Sequence, residues 1–124
     1  MRYMFLIYSQ EKNVERTPEE IESLMNAHRA VMEDAAGKGV LLGLAGLKPT
    51  AAATTVRIKE GRPMTLDGPF AETKEQLAGY YILECKDLDE AIEWAKRIPT
   101  SCKGGEGCIE VRPVAEIPRP LLRE

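Results

Sequence analysis

The sequence predicts an α+β sandwich of the ferredoxin-like type, and three observations carry that expectation. The apolar segments run strand–helix–strand, hairpin, strand–helix–strand. Both helical segments bear an apolar stripe at three- and four-residue spacing, the mark of a helix with one covered face. The 124 residues leave room for one domain with a core of its own. A single domain is therefore expected over residues 1–124, closing in an irregular tail over 116–124. Strands joined by a helix are expected to lie as parallel neighbours, with both halves in one sheet.

The first strand, Arg2 to Tyr8, is apolar on both alternating faces, so both faces need covering. Thr17-Pro18-Glu19-Glu20 then opens a helix. Thr17 caps it, Pro18 suits the first helical position, and Glu20 completes a capping box. Ile21, Met25, His28, Met32 and Ala35 form its expected inward stripe, and Gly37 and Gly39 end it. Val40 to Leu47 reads as a strand with two glycines. Val56 to Ile58 and Pro63 to Leu66 pair as a hairpin around Lys59-Glu60-Gly61-Arg62, and Asp67-Gly68-Pro69-Phe70 is a turn. Gly79 to Cys85 is a strand. A helix capped by Asp87 or Asp89 follows, with Leu88, Ala91, Ile92, Ala95 and Ile98 on one face. Pro99 stops it, and Cys108 to Val114 is the last strand.

Composition excludes several classes of function. Lysine and arginine total 17 against 20 acidic residues, a net charge of −3 with no basic cluster, which argues against nucleic acid. No apolar run is long enough to span a bilayer, so no membrane partner is expected. The chain enters a strand at once without a small-residue cleavage site. Together with three unpaired-looking cysteines, this points to the cytoplasm and reduced thiols. Cys85, Cys102 and Cys108 lack the spacing of a disulfide framework or a zinc site, so neither metal nor cofactor is expected. The glycine-rich run Lys103 to Gly107 has no Gly-Lys-Ser/Thr ending and precedes a strand, which rules out a phosphate loop.

His28 is the single histidine, and helix phase turns it inward. An imidazole there suits general acid–base work, or it is a buried side chain satisfied by one partner. Asp67 either orients that imidazole or starts the DGPF turn, with Phe70 as the anchor pinning the loop to the core. Arg57 is an anion-binding candidate or half of a cross-strand ion pair. Glu110 and Arg112 share one strand face, lining a pocket or pairing with neighbouring charges. Tyr80 and Tyr81 point to opposite faces, one of them a candidate to offer its phenol to a pocket.

Tyr3 to Tyr8, His28, the stretch DGPFAETKEQL from Asp67 to Leu77, Gly79-Tyr-Tyr, Leu88 to Ala91 and Ile109 to Val114 together resemble the YCII-related proteins of the DGPF type. The resemblance implies a ferredoxin-like subunit of a dimeric α+β barrel. It also implies a pocket with a histidine–aspartate pair, carried over onto His28 and Asp67. Sequences related to this family include a dehydrochlorinase acting on a chlorinated aromatic diol, and some family members lie beside or fused to extracytoplasmic-function sigma factors. The expectation that follows is a cofactor-independent lyase or isomerase for a small anionic or cyclic molecule. His28 moves the proton, Asp67 sets its tautomer, and Arg57, Tyr80 and Arg112 bind substrate. The alternative is a non-catalytic regulatory module that binds a small ligand or a protein, which the resemblance links to sigma factors. A homodimer is expected because one sheet face is left to cover.

Overall fold

A computed structural model of the chain describes residues 1–11, 16–100 and 107–117. Cys102, most of the glycine-rich run and the end of the tail lie outside the described residues. Strand β1 (Arg2–Ser9) leads to helix α1 (Pro18–Gly37), β2 (Leu41–Gly46), the pair β3 (Thr54–Lys59) and β4 (Arg62–Asp67), β5 (Gln76–Glu84), helix α2 (Leu88–Ala95) and β6 (Gly107–Pro113). The capping box forms as its residues dictate. Glu20 N donates to Thr17 Oγ1 at 3.2 Å, and Thr17 N donates to the Glu20 carboxylate at 3.3 Å. At α2 the cap is Asp87, which accepts from Glu90 N at 2.9 Å.

Four strands form one sheet in the order β2-β5-β1-β6, and every neighbouring pair is antiparallel. This is the ferredoxin-like order, and it corrects the expectation of parallel neighbours. Each helical crossover leaves a gap one strand wide, which β5 fills between β1 and β2 and β1 fills between β5 and β6. The two strands richest in large apolar residues thus sit at the centre. Gly-rich β2 and β6, with Glu110, Arg112 and Pro113, occupy the edges, where charge and proline are tolerated.

Parity along β1 and β5 divides the sheet into two faces. Tyr3, Phe5, Ile7, Tyr81 and Leu83 are buried with Val31 and Ala35 of α1 and Ala91 and Trp94 of α2. Met4, Leu6, Tyr80 and Ile82 occupy the opposite face and are only half-buried. Both helices therefore cover one face, and the other is open. At the far end of α1, Asp34 accepts from Arg97 at 2.6 Å and Lys38 at 3.4 Å, and both cations lie over the Trp94 ring. That cluster ties α1 to the end of α2.

The β3–β4 hairpin forms a separate two-stranded sheet, turning through Glu60 and Gly61, both at positive φ. Its DGPF turn is local structure. Gly68 sits at φ 93°, where a side chain would be strained, and its N–H donates to Ala53 O at 2.7 Å. Phe70 is 73% exposed, so it does not pin the loop to the core as expected. The hairpin carries it away from the four-stranded sheet. Among the described residues, no helix is long and apolar enough to cross a membrane.

Candidate functional site

The site grows out of missing side chains. Where β2 and β5 run out, the floor is Ala45, Gly46, Ala78 and Gly79. A Cβ on Gly79 would stand 2.6 Å from the Ala45 carbonyl oxygen, so only glycine lets the strands approach there. Above that floor runs the N-terminal half of α1. The predicted stripe is rotated in the structure: Val31 and Ala35 face the core, whereas Ile21 and Met25 stay about half exposed. The reason is that this half of the helix stands over a cleft instead of packed side chains. Leu24, Met25, His28 and Met32 form one wall and Leu44 and Leu47 another, enclosing about 410 Å³. That volume lies in the lower part of the range of roughly 300–1,000 Å³ typical of small-molecule sites.

His28 Nδ1 lies 2.8 Å from the Tyr81 hydroxyl, with the two rings stacked at 25° and 5.9 Å between centroids. Burial pushes the imidazole pKa down and the phenol pKa up, because desolvation disfavours each charged form. Both groups are neutral near pH 7. Two tautomers satisfy the contact: the phenol donates to Nδ1, or Nδ1–H donates to the phenol oxygen. Among the described residues, the opposite ring nitrogen, Nε2, has no hydrogen-bond partner. The polar side of the lining also includes Ser9, Gln10, Glu11, Arg16 and Thr100. A second depression of about 400 Å³ beside Trp94 is lined by Lys38, Lys96 and Arg97, each already paired with an acid.

The YCII-related domain model matches residues 1–118. The chain belongs to the YCII-related family. It is also similar to an uncharacterized protein of Rhizobium meliloti (strain 1021), with 40% identity over 116 residues, 93% of each chain.

Of the residues expected in the site, this YCII-related chain brings His28 alone to the cleft wall. Asp67 stands exposed at the end of β4, opposite Thr54, and does not line the cleft. The partner of His28 is Tyr81, because the hairpin forms its own sheet and carries Asp67 with it. Arg57, also on the hairpin, donates to the Phe70 carbonyl at 3.1 Å and faces Met64 across the strands; it does not line the cleft, and among the described residues it has no ion pair. Tyr80 lies on the open sheet face, beside Leu6 and Ala45. Arg112 is on that face too, paired with Glu110, whose other oxygen accepts from Tyr8.

Of the two tyrosines, Tyr81 lines the cleft and the expected Tyr80 does not, and a signal for that difference is present in the sequence. Glu84 has the parity of Tyr80 and marks the outward face, whereas Tyr81 shares parity with Leu83 and Cys85. Arg16 had no such signal, being one of two cations, with Lys12, in the mostly polar stretch before the helix cap. Among the described residues, neither thiol is activated. Cys85 is buried with its pKa pushed up to about 11, mainly by desolvation. Desolvation and the nearby Glu75 raise that of Cys108. Among the described residues, no cluster of His, Cys, Asp or Glu is placed to hold a metal.

Proposed function

We propose that this chain is a cofactor-independent acid–base enzyme of lyase or isomerase type, acting on a small anionic or cyclic molecule held in the His28 cleft. The observation that carries this reading is the 2.8 Å His28–Tyr81 contact in the cleft wall, between two groups that burial keeps neutral. In the tautomer with hydrogen on Nδ1, His28 donates to the Tyr81 oxygen and Nε2 keeps a free lone pair. Nε2 then takes a proton from carbon while the Tyr81 hydroxyl donates to the oxygen where charge develops. Tyr81 thus has the tautomer-setting role expected of Asp67. We also propose that a second copy covers the open sheet face.

A second reading, a non-catalytic regulatory module, is favoured by the hairpin. Val56 and Ile58 are 62% and 66% exposed on one of its faces, a surface suited to a protein partner, which the resemblance would link to sigma factors. Deuterium wash-in separates the two. Small cyclic ketones, hydroxy acids and phenols are incubated with the protein in D2O and followed by NMR. The enzyme reading expects exchange at a carbon-bound hydrogen, slowed about 10²–10⁴-fold in His28→Gln and unchanged in Ile58→Ser. Exchange that is absent across the panel, or unaltered in His28→Gln, favours the regulatory module.

A further inference from the structure

Arg16 lines the same cleft. Among the described residues, its Nε is the one buried side-chain nitrogen or oxygen with no hydrogen-bond partner. A buried guanidinium N–H without an acceptor is costly, and native proteins keep such groups mainly where a ligand or water completes them. The acid among the described cleft residues does not complete it. Glu11, which also lines the cleft, is committed to Thr50, accepting from its N–H at 2.9 Å and from its hydroxyl at 2.7 Å. No ion pair joins Glu11 to Arg16.

We infer that Arg16 is the anion anchor of the cleft, and that the cleft takes a small monocarboxylate with an apolar body. The inference deepens the reading of the His28 cleft as a ligand site and rests on it. Three features select the ligand class. The unpartnered atom is Nε, and the Nε–Nη edge of a guanidinium presents two parallel donors at the spacing of a carboxylate. Among the described residues of the cleft, Arg16 is the only lysine or arginine and Glu11 the only acid, so a dianion such as phosphate would be under-neutralised there. The lining shared with Arg16 and His28 includes Leu24, Met32, Leu44 and Leu47, which suit an apolar body and leave its polar end to Arg16.

The test uses the full chain, with NMR titrations of benzoate, hexanoate, benzamide and inorganic phosphate. Benzoate and hexanoate are expected to shift cleft signals, Tyr81 among them, more strongly than benzamide or phosphate. Arg16→Gln is expected to weaken benzoate by 10- to 100-fold and leave benzamide unchanged. Arg16→Lys, which keeps the charge but not the fork, falls between. Unchanged benzoate affinity in a folded Arg16→Gln protein overturns the anchor, as does phosphate binding as tightly as benzoate. His28→Gln tells the two failures apart. If benzoate binding falls in His28→Gln but not in Arg16→Gln, the cleft is a ligand site and the anchor is wrong. If none of the four compounds shifts cleft signals, both readings fall.

Discussion

His28 and Tyr81 meet where helix and sheet stop touching through packed side chains, and the consequence is a neutral hydrogen-bonded pair with one edge free. Desolvation lowers the folded-state pKa of His28 below its ordinary 6.5. The unfolded chain therefore takes up the proton first as pH falls. The sign follows from linkage: the stability associated with neutral His28 is fully present above pH 6.5 and is lost as pH drops through the folded pKa. Denaturant melts at pH 7.5 and pH 5 should show a larger loss of stability in the wild type than in His28→Gln. Equal losses would mean that the imidazole is not desolvated. Tyr81→Phe removes the partner without removing the ring, and at pH 7.5 it should cost about 1 kcal/mol, as a part-buried hydrogen bond does.

At the scale of elements, α1 does two jobs along its length. Its C-terminal half supplies Val31 and Ala35 to the core, and its first turns supply Leu24, Met25 and His28 to the cleft. The first turns have little packing to hold them, which gives the capping box an outsized role. Thr17→Ala should destabilise the chain by about 1 kcal/mol. The amides of the first helical turn should also exchange faster with solvent, read by hydrogen exchange, while those around Val31 stay protected. Uniform protection along α1 would show that the cap does not hold the cleft wall. Capping, the hairpin turn and the alternation in β1 are local patterns, and the sequence makes them legible residue by residue. Strand order is not local. Nothing in the run from Gln76 to Glu84 says that it inserts between β1 and β2, and that insertion puts Tyr81 opposite Phe5 and within reach of His28. Asp67 misled for the same reason, since a turn-forming aspartate and a site aspartate look alike until the hairpin's separate sheet is known. Arg16 is legible only as an orphaned donor in three dimensions.

For the whole molecule, the decisive asymmetry is that both helices lie on one side of the four-stranded sheet. Met4, Leu6, Tyr80 and Ile82 are left half-covered at the centre of the open face, with the Glu110–Arg112 pair and Tyr8 toward the β6 edge. An apolar centre with a charged, internally satisfied edge is the composition of a self-association surface. A standard interface needs about 800 Å² from each partner, which a four-stranded sheet face can supply. Packing two such faces would leave the His28 cleft accessible, because it opens on the helix side. Multi-angle light scattering at micromolar concentration should therefore report twice the 13.8 kDa chain mass. Ile82→Glu puts a carboxylate at the centre of the open face, where association would desolvate it without a partner, so this variant should run at the single-chain mass with its helical signal intact. A wild-type mass of one chain would leave the open face to a different partner, and the exposed hairpin would then be the first place to look for its contact.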